Sequence, residues 1–264
     1  MFAQKPTEAT VGSAYLVADD LVLTAGHVVL DAEKIEVRQL GEQDWVTASI
    51  AWSDRAERDA ALLRVEGTRG RGEDHRPVRW GSLAGITEPI SCTAAGFPWA
   101  QARTEGTREV RDTEQLIGQI APLSKSKAGR YAIDVISSAP QEPSTGGSPW
   151  AGMSGAAVFA GQHLVGLVVV DPERFGPARL EAVPADVLVQ DPEFTQLVSA
   201  TGELAMSSVR PRQRYVLTPT FRSSFGHHFG QSRAGLTSPA LPRSFSSPNM
   251  EWFRSWGGRL NSTS

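Results

Sequence analysis

Up to about residue 183 the chain is written as short apolar runs closed by turn residues, and this texture restricts it to a strand-built fold. The runs at 13–17 and 21–23 flank Ala18-Asp19-Asp20, a hairpin signal. Further runs lie at 34–38, 45–51, 60–65, 90–96, 109–120, 131–136, 156–159, 164–170 and 180–183. Their regular spacing, with no helical periodicity between them, predicts an all-β barrel or sandwich. A hydrophobic content of 40% over 264 residues is enough for a sizeable core.

One helix is expected, over 192–201. Asp191 stands before Pro192 at the first helical position, Gly202 supplies a stop, and Phe194, Leu197 and Val198 share a face. Beyond about 203 the texture changes. Residues 201–264 hold twelve Ser, eight Arg, no Lys and two acidic residues, a net of +6, which leaves −9 on the rest of a chain whose formal total is −3. Parts so unlike predict a folded domain over 1–200 followed by a disordered tail or linker.

Three short strings carry candidate chemistry. Thr24-Ala25-Gly26-His27-Val28-Val29 follows an apolar strand, and Gly26 permits a sharp turn that lets the imidazole face a cleft. A histidine after such a strand is often only structural. Arg58-Asp59 precedes the apolar run 60–65, where a carboxylate can be partly buried against the histidine; Asp54 and Glu57 are nearby competitors, and Thr24 is a candidate to hold that carboxylate. Gly152-Met153-Ser154-Gly155-Ala156 leads into another strand, and in isolation it also reads as an ordinary Gly-Ser turn. Together, in the order His, Asp, Ser, the strings supply what a weak nucleophile needs. A hydroxyl requires a base, imidazole has a suitable pKa, and a carboxylate fixes its tautomer.

This constellation resembles the trypsin-like (chymotrypsin-fold) serine proteases over about residues 10–195. The resemblance implies two antiparallel six-stranded β-barrels, at about 10–80 and 88–184, with the active site in the cleft between them and a short helix closing the chain. It implies a serine endopeptidase with His27 as base, Asp59 orienting it and Ser154 as nucleophile, the amides of Gly152 and Ser154 forming the oxyanion hole. Ser148, six residues before the nucleophile, is placed at the base of the first specificity pocket. With no acid there, preference for Lys or Arg is not supported. Val168, Val169 and Val170 are expected to form the edge strand that pairs with substrate backbone. Family members usually carry Asp where Met153 stands, and in secreted members that Asp receives a freed N-terminal amine. Met153 cannot form this ion pair, so the chain is similar to bacterial intracellular relatives and the stress-induced Deg proteases, which lack zymogen activation. Leu180-Glu181-Ala182-Val183-Pro184-Ala185 resembles the exit from the second barrel in those bacterial members.

Composition narrows the alternatives. Cys92 is the only cysteine, so no intramolecular disulfide forms, and the first residues show no apolar run of signal-peptide length. Cytoplasmic residence without membrane contact is expected. No metal or cofactor is implied: His227-His228 lacks Cys or carboxylate neighbours, and His75 sits in a charged loop. The expected partner is a protein or peptide substrate, with a fused or associated regulatory or effector module. Nucleic acid is disfavoured because the acidic body repels phosphates. The rival reading is a peptide-binding module of the same fold with weak or no catalysis, since Met153 and Ala156 depart from the usual wording.

Overall fold

The computed structural model describes residues 1–5, 9–67, 77–85, 87–106, 108–141, 147–170, 173–200 and 204–211. Residues 212–264, where the tail was expected, lie outside them, as do His75, His227 and His228.

The first sheet is built from Phe2–Gln4 (β1), Ala9–Val11 (β2), Tyr15–Ala18 (β3), Leu21–Ala25 (β4), Lys34–Val37 (β5), Val46–Asp54 (β6) and Ala60–Val65 (β7). These run antiparallel in the order β2-β1-β5-β6-β7-β4-β3, a seven-stranded curled half-barrel and not the closed six-stranded barrel expected. Within it the pair β4 and β7 is apolar and buried on both faces: all five residues of β4 and the first four of β7 are shielded from solvent. In β6 the register shifts between Ile50, opposite Leu63, and Trp52, opposite Leu62. This bulge turns Trp52 into the core while Ile50 stays exposed.

The second body contains Trp80–Leu83 (β8), Ile90–Gly96 (β9), Ala102–Glu105 (β10), Arg108–Arg111 (β11), Glu114–Ala121 (β12), Tyr131–Val135 (β13), Ala157–Ala160 (β14), His163–Val170 (β15), Arg179–Pro184 (β16) and Met206–Val209 (β17). Strands β14-β9-β12-β13-β16-β15 are antiparallel neighbours, and pairing of β14 with β15 closes them into a six-stranded barrel. The single run expected at 109–120 is instead β11 and β12, separated at Asp112-Thr113, because β11 folds back on β10 as a hairpin of its own.

Two boundaries differ from the sequence reading. The segment near residue 80 is not the end of the first barrel: β8 joins the second sheet, parallel to β15. Residues 206–209, expected in the irregular tail, form β17 and pair with β8 in parallel along four residues. Parallel strands join residues far apart in sequence, so no local turn signal announces them.

Helix Pro192–Ser199 (α3) forms with Asp191 as N-cap, its Oδ1 accepting from the N–H groups of Glu193 (2.9 Å) and Phe194 (3.0 Å). Phe194 is fully buried, edge-on to Trp52 of the first sheet and Trp80 of β8, with ring centroids at 5.1 and 5.8 Å. The helix thus joins both bodies. Strand β15 does the same from within: Leu164, Leu167 and Val169 pack into the first core, Val165 and Val168 into the barrel core. The cleft between the bodies is walled by this strand.

Candidate active site

His27 stands at the start of the one-turn helix Gly26–Val29 (α1), immediately after β4. Asp59 ends the turn before β7, the strand paired with β4. Antiparallel pairing therefore brings two residues 32 apart in sequence together. Both carboxylate oxygens of Asp59 serve His27: Oδ1 accepts the backbone N–H and Oδ2 lies against Nδ1, each at 2.8 Å. The Gly26 N–H donates to the Asp59 carbonyl at 3.0 Å. A Cβ on Gly26 would lie 3.1 Å from the Ala60 nitrogen, so glycine is what lets the two segments approach. Asp59 adopts φ +52°, a sparsely populated region that the paired hydrogen bonds hold in place. Asp54 and Glu57 turn elsewhere: Asp54 bonds the Glu57 N–H and pairs with Arg58. Thr24 does not hold the carboxylate; its hydroxyl donates to the Ser13 carbonyl at 2.8 Å, because its strand position faces the 12–14 segment.

Ser154 lies in the loop entering β14. A cavity of about 530 Å³ is lined by His27, Asp59 and Ser154 together with Ser148, Val168 and Val169. Among the described residues the Ser154 hydroxyl makes no hydrogen bond, so it shares the cavity with His27 without a bond to it. Val170 continues β15 with its backbone opposite Glu181. Beyond Val168, whose backbone bonds Gly155 and Ala156, the β14 side of β15 carries no strand partner among the described residues. Ser148 accepts the Trp150 N–H at 3.0 Å.

The loop around Gly152 is held by its carbonyls. The Ala151 carbonyl accepts from the Trp99 N–H (2.7 Å) and from Arg111 Nη1 (3.0 Å). In a trans peptide the N–H points opposite to the C=O, so these donors set the direction of the Gly152 N–H. The Met153 carbonyl accepts from the Ala156 N–H at 2.9 Å, which orients the Ser154 N–H in the same way. Neither of those N–H groups donates to another group among the described residues. Gly152 has φ +104°, and a Cβ there would sit 2.3 Å from the Phe97 carbonyl oxygen. Met153 is buried in the barrel core.

Sequence reasoning missed Ser13 and Arg111. Ser13 is buried, and its Oγ donates to the Gly152 carbonyl (2.7 Å) and accepts the Phe97 N–H (3.1 Å). Its own N–H donates to the Ser154 carbonyl at 2.8 Å. One residue of the first body thus clasps the loop of the second that carries Ser154. The contact spans 139 positions, and the only local signal is a polar residue beside Gly12 at the head of an apolar strand. Among the described residues no group of His, Cys, Asp and Glu is placed to hold a metal ion.

The trypsin-like peptidase domain family matches residues 12–167, a span that contains His27, Asp59 and Ser154. Similar solved structures include the HtrA-type protease AlgW with a tripeptide, at TM-score 0.51 and 20% identity over 75% of this chain and 59% of that one. The Rv3671c protease from M. tuberculosis in its active form is similar at TM-score 0.50 and 14% identity, over 80% of this chain and 82% of that one. At these identities the likeness is one of fold. No curated protein matches the sequence. With more than half of its 264 residues matched, this chain belongs to the trypsin-like peptidase domain family.

Proposed function

We propose that the chain is a serine endopeptidase that cleaves peptide bonds through Ser154, His27 and Asp59. The observation that carries the reading is the pair of hydrogen bonds that the Asp59 carboxylate accepts from His27 on the wall of the cavity that Ser154 also lines. With Asp59 on Nδ1, the tautomer that leaves Nε2 free as base is favoured, and the imidazolium is stabilised. Ser154 Oγ attacks the scissile carbonyl while His27 takes its proton. The tetrahedral oxyanion is received by the Gly152 and Ser154 N–H groups. The intermediate collapses to an acyl-enzyme as His27 returns the proton to the leaving amine. Water, deprotonated by His27, then releases the acid and restores Ser154.

The open edge of β15 after Val168 offers substrate backbone a strand to pair with, and Ser148 puts a hydroxyl, not an acid, at the base of the first pocket. Two peptide planes fixed by their carbonyls support a site that needs no new N-terminus for activation, as in the bacterial intracellular type. A buried thiol at Cys92 and the absence of disulfides are in keeping with cytoplasmic residence, where a regulatory or effector module restrains the activity.

The missing Ser154–His27 hydrogen bond favours one rival, a cleft that holds peptides without cutting them. Such bonds are often long before substrate binds and tighten afterwards. Peptide hydrolysis by Ser154→Ala, His27→Ala and the double variant separates the readings. Each single change is expected to reduce turnover by about 10⁶-fold, with the double variant little worse than either, because the residues act as one unit. Hydrolysis that survives Ser154→Ala contradicts the proposal.

A further inference from the structure

We propose that the cleft selects peptides with an acidic side chain close to the scissile bond, and that Arg55 and Arg130 make this selection; the inference rests on the peptidase reading above. Besides His27, three ionisable residues line the cavity: Asp59, Arg55 and Arg130. Both oxygens of Asp59 are engaged by His27, so that carboxylate is committed. Asp54 and Glu57, close to Arg55 along the chain, are gathered by Arg58, whose Nη1 pairs with Asp54 and lies 3.7 Å from Glu57; the same Nη1 is 3.6 Å from Asp191. Arg55 itself is exposed and makes no ion pair among the described residues.

Arg130 is held differently. Its Nη1 donates to the Arg58 carbonyl (2.8 Å) and its Nη2 to the Glu57 carbonyl (3.2 Å). These bonds aim the guanidinium and leave its charge uncancelled, because a carbonyl carries no net charge. Other acids of the second sheet are also matched, Glu181 with Lys125 at 2.7 Å and Asp134 with Arg179 at 2.6 Å. Two positive charges thus line a cavity otherwise walled largely by Trp150, Val168, Val169 and Leu180. Apolar walls concentrate their field. A carboxylate in the bound peptide gains from both cations, whereas a lysine at the same place is repelled.

The test measures binding, separately from catalysis, on the full chain carrying Ser154→Ala. The probes are fluorescein-labelled decapeptides of Ala and Val with a single Asp, Asn or Lys moved along the sequence, read by anisotropy. At one or more positions Asp is expected to bind about threefold tighter than Asn, and Asn about threefold tighter than Lys, the range of an exposed ion pair. The spread should shrink in 0.5 M salt, where screening shortens the reach of exposed charges. Arg55→Glu should invert the order at the responsive position, and Arg130→Gln should narrow it. Arg130 also ties two segments together, so the exposed Arg55 keeps the test decisive if the Arg130 variant misfolds. Equal binding of the three probes, no binding of any, or an order unchanged by Arg55→Glu overturns the inference. Labelling of wild-type Ser154 by a fluorophosphonate, tested alongside, does not depend on peptide charge. Labelled protein with no acidic preference sinks this inference alone, and unlabelled protein that still prefers Asp sinks the peptidase reading alone.

Discussion

Replacing Ser13 with alanine removes one oxygen that serves both the buried Gly152 carbonyl and the part-buried Phe97 N–H. Ser13 is 1% exposed, so water cannot substitute without displacing neighbours. A buried polar group left unpaired costs about 1–3 kcal/mol, which gives about 2–4 kcal/mol for the pair after partial relaxation. That is a large share of the roughly 5–15 kcal/mol by which a domain is stable. Guanidinium unfolding should show a lower midpoint with an unchanged m-value, since the same surface is exposed on unfolding. Ser207→Ala, on an exposed face of β17, is the control and should stay within about 0.5 kcal/mol of the parent. Peptide hydrolysis should weaken as well, because the clasp also orders the segment that bears Gly152. A Ser13→Ala protein as stable as the Ser207→Ala control would refute the reasoning, since it would mean that the two groups find other partners.

Three further outcomes follow from the geometry. Arg111→Met removes one of the two donors on the Ala151 carbonyl; kcat should fall about tenfold, less than the loss of a direct oxyanion donor, with KM little changed and Arg111→Lys restoring part of it. Burial pushes the Cys92 thiol up to about 12, so Ellman's reagent at pH 8 should react only as fast as the protein unfolds, and rapid labelling of folded protein would contradict the packing. Burial by itself raises the Asp54 carboxyl, but the Glu57 N–H and the Arg58 guanidinium outweigh it and hold the group below its ordinary value. Its stabilisation is therefore present above the unfolded Asp pKa of about 3.9 and is lost as pH falls through the lower folded value. Acid titration of unfolding should show that loss shrink in Asp54→Asn.

How much was legible depended on the range of the interaction. Strands such as 60–65 and 90–96 and the Asp191-capped helix are written in neighbouring residues, and they stand in the structure within a residue or two of where periodicity and capping placed them. His27, Asp59 and Ser154 meet at one cavity, each having been marked by local wording: a glycine before the histidine, an acid at a strand start, glycines around the serine; Ser148, Val168 and Val169, which line the same cavity, were marked only by the family resemblance. Arg55 and Arg130 carried no such mark, since an arginine in a turn is ordinarily a solvated one. Parallel pairing of β17 with β8 and the open curl of the first sheet depend on partners more than a hundred residues away or on curvature, which no short window encodes. The same holds for Ser13, whose identity makes sense only once Gly152 and Phe97 are beside it.

The central claim is that Ser154 is a nucleophile activated by His27, and covalent labelling tests it most directly. Wild-type protein treated with a fluorophosphonate at pH 8 and digested for mass spectrometry should carry the adduct on Ser154. His27→Ala should slow labelling by several orders of magnitude, and unfolded protein should not label. Protein that stays unlabelled while binding peptides, or an adduct on another serine with Ser154 untouched, would contradict the account.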